Sequence, residues 1–376
     1  MYDSIIAGGG VMGAAAAWRL ASRGRRVLLL DRHVPPHRLG SSHGETRIIR
    51  EAYFEHPAYV PLVRRAYELW RELEAQSGEQ ILRITGGLMI GPPDGAVVTG
   101  ARASADQFHL PYELLDARQI SARFPAITLP PGHCAVHEPR AGMLSAETCV
   151  SALLARAGHH RADLHFDEAL TGWTATADGV DIVTTRGRYQ GAQLVVCAGA
   201  WLPQLVPELA SRFWIERQVM HWFHPTAHTE WFEPGTLPIH VWEYEPGRYA
   251  YALPDAGAGV KMALHHQGEP TIPDQVNRDV DPEERAAMVA LAQRWLPLLS
   301  ESPHRCEVCL YTNTADGHFL IDHHPDHPQV LVVSPCSGHG FKFAPVVGEL
   351  VADLATNGGS SFDLSLFALN RRALER

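Results

Sequence analysis

A chain of 376 residues is too long for one small hydrophobic core, so we expect two domains. Its 32 basic and 42 acidic residues give a formal net charge of -10, which argues against a nucleic-acid partner. We find neither a signal-peptide pattern nor an apolar run of about 18 residues, so we expect no membrane span. Six cysteines are few for a disulfide framework, and a cytoplasmic protein is expected.

The first thirty residues predict a strand, a glycine-rich turn, a helix and a second strand. The turn reads GGGVMG over residues 8–13, and Asp31 ends the second strand. Gly8, Gly10 and Gly13 would let backbone N–H groups approach a pyrophosphate, while Asp31 is placed for a ribose hydroxyl. This pattern indicates a dinucleotide site without distinguishing NAD from FAD, and an unrelated glycine-rich turn is the alternative. The motif's position in the chain and a later strand over residues 194–201 favour FAD.

The segment Gly40–Arg50 concentrates hydrogen-bond donors and positive charge shortly after the nucleotide unit. It contains His43, Arg47 and Arg50, and the two arginines would share a face if the segment were helical. The planar fork of arginine suits a carboxylate or the electron-rich edge of a reduced flavin. A solvated basic turn is the alternative interpretation.

Apolar spacing predicts helices over residues 60–76, 145–157, 281–296 and 346–354. Aromatic and β-forming residues between 214 and 263 indicate an antiparallel sheet, which contains Lys261 in an apolar strand. The expected fold class is α/β (α+β), with an FAD-binding Rossmann-like domain interleaved with a substrate domain on a largely antiparallel sheet. We assign residues 1–80, 145–212 and 305–376 to the FAD-binding domain, and residues 81–144 and 213–304 to the substrate domain.

Two motifs near the end of the chain carry further chemistry. Residues 309–314 read CLYTNT, and residues 337–343 read SGHGFKF, a glycine-rich loop with one lysine. Cys306 and Cys309 also form a CxxC pair. A zinc site would need a second pair of ligands, and a thioredoxin-like motif would need a different position. The paired histidines lie outside any metal-binding helix motif, so no metal is predicted.

Together with residues 8–13, 40–50, 260–261 and 318–322, these motifs resemble the sarcosine oxidase and N-methyltryptophan oxidase family. These enzymes are FAD-dependent amine oxidoreductases related to D-amino-acid oxidase. The motifs occur in family order over nearly the whole chain, and CxYTNT with SGHGFKF is highly specific. The resemblance implies FAD bound covalently through its 8α-methyl group to the Cys309 thiolate, and it makes Cys306 a packing residue. The implied cofactor-binding residues are Gly8, Gly10, Gly13, Asp31, Cys309, Gly338 and Gly340.

The resemblance also implies roles for the charged residues. Arg50 and Lys342 would bind the carboxylate of the substrate by charge-assisted hydrogen bonds. Lys261 would lie near flavin N5, where a fixed positive charge promotes the reduction of oxygen. The remaining implied active-site residues are His43 and Arg47 beside the flavin, and Tyr251 and His265 facing the substrate.

The implied function is that of a monomeric oxidase for secondary-amine amino acids such as sarcosine or N-methyltryptophan. The amine would become an imine, O2 would become hydrogen peroxide, and hydrolysis would release formaldehyde and the demethylated amino acid. We identify no dedicated general base, which fits a pocket that selects the neutral amine. Pro335 and Cys336 replace the glycine and larger apolar residue typical of the family, so pipecolate and proline remain candidate substrates.

Two further alternatives concern the reaction itself. One is a dehydrogenase of the same fold that uses an acceptor other than oxygen, and Lys261 argues against it. The other is a non-catalytic flavin-binding protein. The joint presence of Arg50, Lys261, Cys309 and Lys342 argues against that reading, because binding alone would not need all four.

Overall fold

The computed structural model describes residues 1–371 and Leu374. The strands in chain order are β1 (Tyr2–Ala7), β2 (Val27–Leu30), β3 (Thr46–Ile49), β4 (Leu82–Ile84), β5 (Gly87–Gly91), β6 (Glu113–Leu115), β7 (Cys134–Glu138), β8 (Gly142–Ser145), β9 (Asp163–His165), β10 (Leu170–Thr176), β11 (Gly179–Thr184), β12 (Arg188–Val196), β13 (Phe213–Phe223), β14 (Ile239–Glu245), β15 (Arg248–Leu253), β16 (Val260–His265), β17 (Glu269–Pro270), β18 (Arg305–Thr314), β19 (Leu320–His323) and β20 (Val330–Ser334). The α-helices are α1 (Val11–Ser22), α2 (Tyr59–Ser77), α3 (Ala96–Phe108), α4 (Ala117–Arg123), α5 (Ala146–His159), α6 (Leu202–Leu205), α7 (Pro282–Trp295) and α8 (Ala344–Asn357).

The first sheet carries the glycine-rich turn. Its order is β10-β11-β12-β1-β2-β9, with β20 and β19 continuing from β12. β1 pairs in parallel with β2 and β12, and β12 pairs in parallel with β20. Helices α1, α2, α5 and α8 contribute to one buried apolar cluster with these strands. The carboxyl ends of β1, β2 and β12 therefore meet at one edge, where ligands bind in parallel α/β sheets.

The second sheet is largely antiparallel, as the sequence predicted. Its order is β17-β13-β16-β15-β14-β5-β7-β6, with β18 on the other side of β13 and a parallel pair between β14 and β5. β18 pairs with β13 from Arg305 to Thr314. The strand that carries Cys309 thus belongs to this sheet. The division of the chain into two domains remains a prediction, although this pairing joins residues 305–314 to the substrate sheet.

The third sheet contains residues 46–49 as β3, which pairs with β8, and β8 also pairs with β4. This segment is therefore not helical, and the condition under which Arg47 and Arg50 would share a helical face is not met. The four predicted helices correspond to α2, α5, α7 and α8. The mixed α/β fold class is confirmed. Within the described residues, no helix combines the length and the apolar character that crossing a membrane requires.

Candidate active site

A long cavity runs from the carboxyl ends of β1 and β2 to strands β14, β15 and β16. Its empty volume is about 2060 Å³, which includes space open to solvent. Its wall contains Gly8 and Asp31 at the glycine-rich turn, Cys309, and Arg50 and Lys342. Arg47 beside the Cys309 Sγ donates to the carbonyl oxygen of Ser41, next to the Ser42 hydroxyl that accepts from the N–H of Val11, and it also lies over the ring of Phe341, next to Lys342. Cys309 therefore lies between the glycine-rich turn and the two cations. The two predicted halves of the site therefore form one continuous space.

The nucleotide end of this cavity is shaped by glycines at the start of α1. Gly8 has a φ of +105°, and a Cβ there would lie 2.4 Å from the carbonyl oxygen of Cys197. A Cβ on Gly13 would lie 1.8 Å from the carbonyl oxygen of Gly8. Side chains are thus excluded where α1 begins at Val11. The result is a bare backbone cradle at a helix N-terminus, which fits the pyrophosphate of a dinucleotide.

Asp31 is fixed at the end of β2 by backbone donors. Its carboxylate accepts hydrogen bonds from the N–H groups of Gly9 at 2.6 Å and His33 at 2.8 Å. Asp31 also lines the cavity. Because each carboxylate oxygen has two lone pairs, the side chain retains acceptor capacity for a ribose hydroxyl.

Cys309 lies on the cavity wall between the two ends. Its Sγ is 4.0 Å from Nη2 of Arg47, which also lines the cavity. Burial raises the pKa of the Cys309 thiol, while the nearby cations Arg47, Lys261 and Arg278 oppose that shift. The predicted attachment residue is therefore accessible from the cavity. Without a cofactor beside it, the residue is a thiol at neutral pH.

Lys261 lies just behind the cavity wall. Its Nζ donates to the carbonyl oxygens of Gly44 (2.9 Å) and Thr46, on the turn that leads into β3. Glu147 holds the same turn, because its Oε1 accepts from the N–H of Gly44 at 2.8 Å. Burial is the main cause that lowers the pKa of Lys261 well below its ordinary value. The amino group of Lys261 is thus held close to, but not on, the wall.

His43 is also buried behind the wall. Its Nδ1 lies 3.3 Å from Oε2 of Glu307, two residues before Cys309. Burial lowers the pKa of His43, and the hydrogen bond to Glu307 opposes that shift. His43 is therefore connected to the strand that carries Cys309.

Arg50 reaches the substrate end, but it already has an acidic partner. Its Nη2 donates to both carboxylate oxygens of Glu55, at 2.6 and 2.7 Å. The guanidinium also lies 4.3 Å from the ring centre of Tyr53 and 4.5 Å from that of Phe54. Burial raises the pKa of Glu55, but Arg50, His339 and Lys342 together outweigh that effect and lower it. The predicted carboxylate-binding arginine is thus neutralised by a residue that the sequence analysis did not identify.

Lys342 supplies the second cation at this end. Its Nζ donates to the carbonyl oxygen of His339 at 2.7 Å and to the hydroxyl of Tyr53 at 3.3 Å. Burial, and then Arg50, lower the pKa of Lys342 to about 7. Tyr53 therefore touches both cations, which places them on the same part of the wall.

Neutral groups line the rest of the substrate end. His265 Nδ1 lies 3.3 Å from the hydroxyl of Tyr311. Burial lowers the pKa of His265 well below its ordinary value, and burial raises the pKa of Tyr251 to about 12. Gly338 lets the SGHGFKF loop approach closely, because a Cβ there would lie 2.5 Å from the ring of Tyr311. The imidazole and both hydroxyls are thus uncharged at neutral pH.

The structure brings most predicted site residues together on one wall. Those that line the cavity are Gly8, Gly10, Asp31, Arg47, Arg50, Tyr251, His265, Cys309, Gly338, Gly340 and Lys342. Those that lie behind it are Gly13, His43 and Lys261. Cys306 lies opposite His221 on β13 and is not on the wall. Within residues 1–371 and Leu374, no group of three or more potential ligands is arranged to hold a metal.

Sequence reasoning missed several residues of the substrate end. Glu55 and Tyr53 follow Arg50 by only a few positions, so an acid near a predicted substrate arginine was an available signal. Tyr311 lies inside the CLYTNT motif and was not singled out. Asp31 and Glu55 are the carboxylates on the cavity wall among the described residues. Since both are already held by donors, neither is a free general base.

The fold and the cavity define an enzyme that binds a dinucleotide cofactor beside a cationic pocket for a small substrate. Residues 3–354 match the family of FAD dependent oxidoreductases, and the chain belongs to this family. FAD fits the cavity, because the bare cradle, the held aspartate and the cysteine of the CLYTNT motif all line it.

Relatives narrow the assignment. The chain is 44% identical to a monomeric sarcosine oxidase of Streptomyces avermitilis, covering 99% of this chain and 98% of that protein. It is 35% identical to an N-methyl-L-tryptophan oxidase of Yersinia pestis, and the alignment covers 98% of this chain and 99% of that protein. The chain also matches the solved structure of NikD, an unusual amino acid oxidase essential for nikkomycin biosynthesis. The TM-score is 0.86 and the sequence identity 25%, and the match covers 98% of this chain and 97% of NikD. The family predicted from the motifs is confirmed, and so is the prediction that the chain is an FAD-dependent oxidoreductase.

Proposed function

We propose that this chain oxidises the C–N bond of a secondary-amine amino acid to an imine and reduces O2 to hydrogen peroxide. With an N-methyl amino acid such as sarcosine or N-methyltryptophan, hydrolysis of the imine gives formaldehyde and the demethylated amino acid. The observation that carries the proposal is the pair of buried cations, Arg50 and Lys342, that meet at Tyr53. Two cations beside the single carboxylate of Glu55 leave a net positive charge at this end of the pocket, which favours a small carboxylate.

The pocket residues also act on the substrate amine. Nearby positive charge disfavours a protonated amine, so Arg50 and Lys342 favour the neutral form that can lose a hydride equivalent. His265 and Tyr251 are uncharged and therefore do not restore the ammonium form. Because Glu55 already occupies Arg50, the substrate carboxylate must share the guanidinium with Glu55 or displace it. Binding and amine deprotonation are thus coupled through the same cations.

The chain's own residues account for how FAD is held. Gly8, Gly10 and the first N–H groups of α1 would hold the pyrophosphate, and Asp31 would accept from the ribose. Cys309 would form the covalent bond to the 8α-methyl group, with Arg47 beside it. When bound, FAD supplies the acceptor for two electrons and transfers them to oxygen.

The identity of the secondary amine is tested by a panel of substrates. Pro335 and Cys336 both lie on the cavity wall, so they contribute to the size of the pocket. N-methyl amino acids and the cyclic amino acids proline and pipecolate would be assayed for peroxide in air. We expect peroxide with at least one N-methyl amino acid. If only a cyclic amino acid gave peroxide, cyclic amino acids would replace N-methyl amino acids as the proposed substrate class. If none of the amino acids gave peroxide, the proposed oxidase activity would be overturned.

One observation favours a second candidate, a dehydrogenase that transfers electrons to an acceptor other than oxygen. Lys261 lies behind the wall, where its Nζ donates to the carbonyl oxygens of Gly44 and Thr46, whereas promotion of oxygen reduction needs a positive charge directly beside the flavin. Substrate would be mixed anaerobically with the yellow protein, and then oxygen or an artificial dye would be added. Reoxidation by the dye but not by oxygen would favour the dehydrogenase. Failure of every amine to bleach the flavin would favour a non-catalytic flavin-binding protein.

We also propose that the protein is a cytoplasmic monomer with a small amino acid and O2 as its partners. The name of the Streptomyces avermitilis relative supports the monomer. The six cysteines are free in the structure, which agrees with a reducing compartment. Light scattering of the purified protein would test the monomer.

A further inference from the structure

Glu138 is a buried carboxylate that the proposed reaction does not use. It is the last residue of β7, and only 1% of its surface is exposed. One of its carboxylate oxygens accepts from the N–H of Glu51 at 2.7 Å, and the other accepts from the N–H of Ala52 at 2.8 Å. These two residues directly follow Arg50. A carboxylate 86 positions away in the chain therefore holds the backbone next to the substrate arginine.

We define residues 50–55 as the cation arm, because this segment carries Arg50 and its partner Glu55. Within the arm, Nη1 of Arg50 donates to the carbonyl oxygen of Ala52 at 3.0 Å. Ser104 on α3 donates from Oγ to the carbonyl oxygen of Tyr53 at 2.5 Å. The arm contains no helix or strand, so these side-chain contacts determine its path. Glu138 supplies two of them, and in its ionised form both are charge-assisted.

We infer that Glu138 is a positioning residue that holds the cation arm so that Arg50 presents its guanidinium to the substrate carboxylate. This inference rests on the proposed function. A carboxylate is suited to the task because both oxygens are acceptors, and two adjacent N–H groups need two acceptors. An amide of the same shape has one acceptor and would direct its NH2 group at the second N–H.

The ionised state of Glu138 depends on this contact. Burial raises the pKa of Glu138 to about 7, while the N–H groups of Glu51 and Ala52 oppose that shift. A buried carboxylate with so few compensating donors would be costly if it only supported the fold. Holding a nearby cation in place is the role that both of its hydrogen bonds serve.

The test uses Glu138→Gln in the flavin-loaded, full-length protein. Furan-2-carboxylate and its neutral analogue furan-2-carboxamide would be titrated, with the change in flavin absorbance as the readout. We expect the dissociation constant of the carboxylate to rise about tenfold or more, and that of the carboxamide to change less than about twofold. Flavin content per protein would stay unchanged, because Glu138 is not on the cavity wall.

Two further variants make the outcome specific. Glu74→Gln is the matched control, since Oε1 of Glu74 also accepts from two adjacent N–H groups, those of Ile81 and Leu82 at 2.9 Å, which lie outside the cation arm. Ser104→Ala removes the third hydrogen bond to the cation arm. It should weaken carboxylate binding as Glu138→Gln does, but by a smaller factor. If Glu138→Gln does not fold, Ser104→Ala decides, and unchanged carboxylate affinity overturns the inference.

The remaining outcomes separate the inference from the function on which it rests. Equal weakening of the carboxylate and the carboxamide would show a general structural role and overturn the positioning role. An effect of Glu74→Gln as large as that of Glu138→Gln would do the same. If the wild-type protein binds the carboxylate no better than the carboxamide, the proposed function itself falls, and the inference with it.

Discussion

The two ends of the cavity are built in different ways. At the nucleotide end, backbone groups within the first 31 residues would bind the ligand, and the absence of side chains at Gly8 and Gly13 makes room for it. At the substrate end, buried side chains would bind the ligand by charge: the charges of Arg50 and Glu55 cancel, and the neighbouring Lys342 supplies the net positive charge. The first end is therefore sensitive to steric change, and the second to charge.

The largest expected effect lies at the nucleotide end. Gly13→Ala would place a Cβ 1.8 Å from the carbonyl oxygen of Gly8, so the turn must open. We expect this variant to lose bound flavin almost completely, as measured by the ratio of flavin to protein after purification. Gly172→Ala is the control, because no atom lies within 4 Å of its added Cβ. A fully loaded Gly13→Ala protein would contradict the steric account.

Cys309 lies between the two ends and should affect attachment rather than binding. Cys309→Ser would leave the cradle and the cations intact but remove the thiol. We expect acid precipitation to release all the flavin from this variant and to leave it attached in the wild type, measured by fluorescence of the pellet and supernatant. Cys306→Ser should behave as the wild type, since Cys306 lies off the wall. Free flavin from the wild type would refute the covalent anchor.

A charge change at the substrate end should have a moderate effect. Glu55→Gln removes the anion that competes with the substrate for Arg50. We expect carboxylate ligands to bind about tenfold more tightly, equivalent to about 1.4 kcal/mol, with the flavin content unchanged. Glu51→Gln is a suitable control, because Glu51 pairs with Arg140 away from the wall. Weaker binding in Glu55→Gln would show that Glu55 orients Arg50 rather than competing with the ligand.

The smallest expected effect is a dependence on pH. Lys342 has a pKa of about 7, and only its protonated form attracts a carboxylate. Affinity for a carboxylate ligand is therefore present below this pKa and falls as pH rises through it, by roughly fivefold between pH 7 and pH 8. Lys342→Met should abolish this fall, and a neutral ligand should show none. A fall of equal size in the variant would assign the titration to another group.

The same contrast explains what could be predicted from the sequence. The nucleotide turn is a local pattern, and its glycines, helix and aspartate were all identified from spacing. The glutamates of the substrate end have no such pattern, because Glu138 reaches the arm from a distant strand. The sequence leaves the conformation of residues 46–49 open, because their strand exists only through its pairing with β8. Family resemblance supplied the positions of Arg50, Lys261 and Lys342, but not the partners that determine their charge.

The wall of the cavity draws on residues from Ala7 to Lys342, and this has a consequence for biosynthesis. During translation, the glycine turn leaves the ribosome early, but Cys309 and the SGHGFKF loop leave it more than 300 residues later. A nascent chain therefore cannot enclose the flavin until synthesis is nearly finished. Flavin binding is therefore a late step of folding, and a limited flavin supply would leave a nearly complete chain whose cavity is still open.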